Sequence, residues 1–154
     1  MIYTSRYSNK ELRSGKYTAV RISLGTPKWE LGYRLNGEIK ELMPAGIFGI
    51  GDKEVFKRKY FERLDKIGVS RIKSQLLKFE VLGKDVVLLC YEDIRKGPEN
   101  WCHRNMFSEW WRSRTGEMIP ELPDESAVKT TFIDAKKKVP QFEEMNLFLV
   151  KKRI

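Results

Sequence analysis

The spacing of apolar positions along the 154-residue chain changes several times, and each change marks an element. Met1 to Thr4 is short, apolar and aromatic, and predicts a first strand ending at Ser5. Asn9 to Ser14 is polar apart from Leu12, which suits a short helix with Leu12 turned inward and Gly15 as its stop. Tyr17 to Ser23 is rich in β-branched residues and predicts a second strand. It runs into Leu24 to Trp29, where Gly25 and Pro27 break regular structure and leave a hydroxyl and an indole in a loop. From Gly32 to Gly51 five glycines and Pro44 interrupt any sustained period. That stretch predicts an irregular excursion over the strand ends; short strands around Leu35 and Ile39 are the alternative.

Val55, Phe56, Tyr60, Leu64 and Ile67 recur as one apolar stripe, so 52–67 predicts a helix, with Asp52 as its cap and Gly68 past its end. Ser70 to Glu80 continues the helical period through Ile72, Leu76, Leu77 and Phe79. After Gly83, Asp85 to Cys90 is an unbroken apolar run of strand length, the pattern of a strand covered on both faces in a parallel sheet. Met106, Phe107, Trp110 and Trp111 form one apolar face of a last helix, which makes the tryptophan pair packing rather than a base-stacking platform. Strands alternating with helices in this order predict a single Rossmann-like three-layer α/β domain with a mainly parallel sheet over residues 1–122. Residues 123–154 form a C-terminal extension: a turn at Pro123-Asp124, a strand over 128–133, a basic stretch and a last strand at 147–150. A hairpin or a basic arm would account for it equally well.

Composition narrows the class. With 41% hydrophobic and 33% charged residues the chain is globular. No apolar run reaches the roughly 20 residues of a membrane span, so no membrane partner is expected. MIYTSRYSNK lacks the order of a secretory signal, and two cysteines without export signals fit a reducing cytoplasm with both thiols free. The net charge of +9 favours polyanions such as nucleic acid, although a solubilising surface explains it equally well. The basic clusters at 57–59, 136–138 and 151–153 are far apart, and only folding could unite them.

Chemistry concentrates between Lys84 and Trp111, which holds both cysteines and the one histidine. Ligands of open α/β sheets settle outside the carboxyl ends of the strands. Those ends carry Ser5, Ser23 with Pro27 and Trp29, and Cys90-Tyr91-Glu92. The last leads through a polar loop to Cys102-His103-Arg104. A helix starting near Asn100 or Trp101 would place that tripeptide in its first turn, with free amides and a guanidinium around an anion. Glu92 is the candidate general acid or base, with His103 as partner or orienter, and Cys102 is a thiolate candidate favoured by the helix end and Arg104. Zinc held by Cys90, Cys102 and His103 is an alternative. Adjacent Cys and His rarely both point at one ion, however, and no C-x-x-C pair accompanies them, so no metal is assigned. A purely structural role remains open: Cys90 ending a buried strand, and His103 bonding a loop carbonyl.

The segment LLCYEDIRKGPENWCHRNMFSEWW resembles the signature of the domain-of-unknown-function 488 family. That signature is an apolar strand, Cys-x-Glu, a loop with Pro-Glu, then Cys-His-Arg and an amphipathic helix. Tyr3-Thr-Ser5, Arg21 to Trp29 and Leu42-Met-Pro44 resemble the opening strand, the strand with Pro-x-Trp and the Leu-Ala-Pro stretch of its shorter branch. The resemblance implies a compact Rossmann-like intracellular domain of bacteria, archaea or their phages, and it implies no particular reaction or cofactor. It marks Ser5, Ser23, Pro27, Trp29, Cys90, Glu92, Cys102, His103 and Arg104 as site positions. Ser23-Leu-Gly stands where the larger branch has Asp-Val-Arg, and Ile94 to Gly97 lengthens the loop. The expected function is hydrolysis or group transfer on a nucleotide or nucleic-acid substrate. The competing one is a non-catalytic binding or host-interaction protein of a phage or mobile element.

Overall fold

In the computed structural model, which describes residues 1–129, the chain order is β1 (Ile2–Arg6), β2 (Tyr17–Arg21), β3 (Leu35–Glu38), α1 (Lys53–Ile67), α2 (Val69–Glu80), β4 (Asp85–Cys90) and α3 (His103–Thr115). Short 3-10 turns lie at Lys10–Ser14, Lys40–Leu42 and Ile94–Lys96. The four strands pair in the order β1-β4-β2-β3, all parallel. The result is a Rossmann-like α/β domain with β4 at its centre.

Strand β4 hydrogen-bonds on both edges and is covered on both faces, as an apolar run without alternation requires. Its side chains still divide with period two. Val86 and Leu88 face the helices, whereas Val87 and Leu89 face the opposite cluster with Tyr7, Leu12, Ala19 and Leu122. Burial of each of these aliphatic side chains contributes about 1.5–3 kcal/mol. All three α-helices pack on the first face, through Phe56, Tyr60 and Leu64, through Ile72 and Leu76, and through Met106, Phe107, Trp110 and Trp111. The third layer is thinner and consists of the Lys10–Ser14 turn with irregular chain carrying Leu31 and Tyr33.

Local signals explain the boundaries. Asp52 Oδ1 accepts from the Val55 amide at 2.9 Å and starts α1. Asn9 caps the first 3-10 turn by accepting from the Glu11 amide, and Gly15 ends it at φ 78°, a conformation other residues adopt at a cost. The tryptophan pair is core, as its spacing predicts; Trp110 Nε1 donates to Asp65 and Trp111 Nε1 to Glu117, so neither indole N–H is buried without a partner. Helix α3 starts at His103, later than Asn100 or Trp101, with Cys102 as its cap residue.

Within the excursion over 32–51 the alternative holds at Leu35: one strand, β3, pairs with β2 in parallel, with a register shift between Ala19 and Val20, while Ile39 lies just past its end. Leu35-Asn-Gly-Glu38 has no β-branched residues and alternates only between half-buried and exposed positions, so its pairing with β2 largely defines it. The Ala19 amide donates to Asn36 Oδ1 at 2.9 Å, and Phe79 covers Gly37. Beyond α3 the chain returns along β1: the Thr4 amide donates to Pro120 and the Leu122 amide to Thr4. Residues 123–126 stay attached, through Arg6 Nε to Asp124 at 2.6 Å and Asn9 Nδ2 to the Pro123 carbonyl at 3.1 Å. The strand expected over 128–133 runs beyond the described residues, and the basic stretch and the strand at 147–150 lie wholly outside them.

Candidate functional site

Strands β2 and β4 run side by side and end at the same level, so Ser23 and Cys90 emerge together at the carboxyl edge of the sheet. After Cys90 the chain turns through Tyr91 and Glu92. Asp93 then accepts from the Arg95 amide to form a 3-10 turn that ends at Gly97. Trp101 packs on Phe56 of α1, with ring centres 4.9 Å apart, and so anchors the approach to α3. Cys102 keeps an extended backbone (φ −137°, ψ 145°), and His103 opens the helix. This change of backbone state between neighbours aims both side chains at one place, so adjacency does not keep them apart.

The groups that meet are Cys90, Cys102 and His103, whose ligand-type atoms all lie within 4.8 Å of one another. Nδ1 of His103 is 3.5 Å from Cys90 Sγ and 3.9 Å from Cys102 Sγ. On the other side of the ring, Nε2 donates to the Ile22 carbonyl at 2.8 Å. That bond fixes the tautomer and leaves the Nδ1 lone pair facing the sulfurs. Tyr60 holds the ring edge-on from α1 at 5.6 Å. Glu92 Oε2 accepts from Cys90 Sγ at 3.4 Å. Both cysteines are free thiols.

The electrostatics of this group are unequal. Burial opposes ionisation of Cys102, but its hydrogen bond from Cys90, its contact with His103 and the nearby Arg104 charge outweigh it and hold the thiol well below its usual range. Cys90 is pushed up, first by its hydrogen bond to Cys102 and then by burial. Glu92 is raised by desolvation and by the Cys102 charge, so it keeps its proton to higher pH than an ordinary carboxyl.

These residues form the floor of a cavity of about 790 Å³. Ser23, Leu24 and Gly25 line one side, Pro44 and the 48–51 segment another, and Tyr91, Asn100 and Trp101 complete the wall. The volume is within the ordinary range for small-molecule sites. The glycine-rich excursion thus covers strand ends, as its length suggested. Phe48, Ile50, Phe56, Asn100 and Trp101 were not anticipated as lining. Phe56 was legible only as a core position, and Trp101 had a signal in standing directly before Cys102.

The anticipated residues divide into groups. Ser23, Cys90, Tyr91, Glu92, Cys102 and His103 share the cavity. The Ser23 hydroxyl is already engaged, accepting from Tyr7 Oη at 2.5 Å and donating to the Gly25 carbonyl at 2.7 Å. Trp29, 48% exposed, sits outside the lining with its ring against Tyr91 and Tyr7, and Pro27 belongs to the same loop. Ser5 and Arg104 border a separate cavity of about 240 Å³ by Glu121. Arg104 is 1% exposed, and its guanidinium pairs with Glu121: Nε lies 2.9 Å and Nη2 2.9 Å from the two carboxylate oxygens. It therefore braces α3 against the returning chain and does not reach into the larger cavity. Its Nη1 is buried without a partner.

Among the described residues, no helix is long and apolar enough to cross a membrane. No protein-family model and no solved structure matches the chain. Among curated proteins it is similar to beta-amyrin 28-monooxygenase of Medicago truncatula, with 25% identity over 122 residues. That match covers 77% of this chain and 22% of the plant protein, so the chain spans about a fifth of the length of its relative.

Proposed function

We propose that this chain is an enzyme of hydrolysis or group transfer acting on a nucleotide-sized anionic substrate in the 790 Å³ cavity. The observation that carries the reading is the convergence of two thiols, an oriented imidazole and a partly desolvated carboxyl on the floor of one cavity. That cavity lies at the carboxyl ends of β2 and β4, where parallel sheets place their ligands. Glu92 is the general acid, since a carboxyl whose pKa is raised by desolvation holds a proton for a leaving group to higher pH than an ordinary one. The carboxylate left behind takes a proton from the attacking water or acceptor group in the second half of the reaction, which restores the acid. The start of α3 lies against the same floor, and with the +9 charge it favours a phosphate-bearing substrate. A reducing cytoplasm, where both thiols persist, is the setting we propose. The resemblance to the domain-of-unknown-function 488 family belongs to this proposal as well.

The test is a panel of nucleotides and short oligonucleotides with product release followed by chromatography. Glu92→Gln is expected to abolish turnover while circular dichroism and the thermal midpoint stay unchanged; retained turnover would remove Glu92 from the mechanism. A non-catalytic binding role for the same cavity is favoured by one observation, that the Ser23 hydroxyl and the Arg104 guanidinium are engaged within the protein. Saturable binding of a panel member with no turnover would select it.

A further inference from the structure

The geometry of the cavity floor reaches beyond acid–base chemistry. In tetrahedral zinc sites the metal lies about 2.3 Å from sulfur and about 2.0–2.1 Å from nitrogen, so ligand atoms stand about 3.5–3.8 Å apart. Here Nδ1 of His103 stands 3.5 Å from one sulfur and 3.9 Å from the other, before any contraction around an ion. The third requirement of such a site is an outer partner that aims the imidazole, and the Ile22 carbonyl supplies it by holding Nε2–H at 2.8 Å. We infer that Cys90, Cys102 and His103 form a zinc-binding site whose fourth position is turned to the cavity. Two thiolates and an imidazole suit zinc and are poor ligands for magnesium or calcium, which prefer oxygen.

Three protein ligands with an open fourth position are the arrangement of catalytic zinc, whereas structural zinc is closed by four. Glu92 Oε2, 3.4 Å from Cys90 Sγ, borders this ligand set and lines the same cavity. The sequence offers these three residues as a zinc alternative but lacks the C-x-x-C spacing that would favour it. A strand end supplies one sulfur, and a helix cap with the residue after it supplies the other two ligands.

The inference rests on the same cavity floor as the proposed reaction, and its test is independent of turnover. The full chain, produced in zinc-supplemented medium and purified without chelator, is expected to carry one zinc per chain by elemental mass spectrometry. After stripping, cobalt(II) is expected to bind in the same ratio, with thiolate-to-metal charge-transfer absorption and the intense ligand-field bands of a tetrahedral ion. Cys102→Ser and His103→Gln are expected to weaken zinc binding at least about 100-fold, beyond the roughly 10–100-fold typical for loss of an outer-shell partner. The cobalt spectrum of the unaltered chain needs no variant to fold. A chain that takes up no stoichiometric zinc and gives no charge-transfer band with cobalt overturns the inference and leaves a hydrogen-bonded thiol cluster. If such a metal-free chain still turns over a nucleotide, the reaction stands and the zinc site falls. A zinc-loaded chain that neither binds nor turns over any panel member gives the reverse result.

Discussion

Glu121→Ala tests the pairing of the buried Arg104 guanidinium. It would leave the Arg104 guanidinium 1% exposed without its hydrogen-bonded counter-ion, and one nitrogen of that group is already unpartnered. Burial opposes the charge on Arg104, and Glu121 outweighs it through hydrogen bonds of 2.9, 3.2 and 2.9 Å. Removing one member of a buried pair costs about 3–5 kcal/mol, most of it from the charge left behind. For a chain of this size that lowers the thermal midpoint by roughly 6–20 °C, at about 2–4 °C per kcal/mol. The reverse change, Arg104→Met, is expected to cost less, about 1–2 kcal/mol. It keeps an apolar stem in place, and the Glu121 side chain, 26% exposed, can turn to water. The double variant is accordingly more stable than Glu121→Ala alone. Urea denaturation followed by circular dichroism, with m-values compared across the set, measures all three. A loss below about 1 kcal/mol for Glu121→Ala, or a double variant equal to the sum of the singles, would refute the account of Arg104 as a buried, paired cation.

Acid sensitivity is expected from the cluster of Arg6, Arg95, Asp93 and Asp124. Asp93 is held below the ordinary carboxylate range chiefly by its hydrogen bond from Arg95; for Asp124, burial is outweighed by the bonds from Arg6 and Ser126. Both pKa values are lower folded than unfolded, so their stabilisation is complete above the unfolded value of about 3.9 and disappears as pH falls through the folded values. Urea midpoints measured from about pH 5 to pH 2 are expected to fall, and Asp93→Asn is expected to flatten that decline; parallel curves would exclude the cluster as its source. In β3, a Cβ added at Gly37 would lie 2.8 Å from the Phe79 ring. Gly37→Ala is therefore expected to cost about 1–3 kcal/mol in the same assay, and an unchanged midpoint would show that Phe79 moves freely.

Elements with a strong internal period were legible. The apolar stripe from Phe56 to Ile67 and its Asp52 cap fix α1, and the unbroken run before Cys90 fixes the central strand. Strand β3 was legible only as the alternative of a short strand around Leu35, because Leu35 to Glu38 becomes a strand largely through the neighbouring edge of β2. The same limit applied at the site. Cys90, Glu92, Cys102 and His103 follow from their positions at a strand end and a helix start. Whether Cys102 and His103 converge depends on one backbone change between them, which residue types do not encode. Arg104 was placed in the right turn of the helix, but its direction is set by Glu121, seventeen residues further on. Burial of long side chains is decided by such distant partners, and a helical period cannot name them.

The return of residues 120–122 alongside β1 has a consequence for how copies of this chain behave towards one another. An outer strand offers a row of unpaired amides and carbonyls to any extended segment that meets it. On β1 the Thr4 amide and carbonyl are already taken by Pro120 and Leu122, and Arg6 is held by Asp124. Proline at 120 also has no amide of its own to present outward. The strip therefore acts as a guard against intermolecular strand addition. A chain cut after α3 would keep its central strand yet expose the margin most prone to recruit a second molecule.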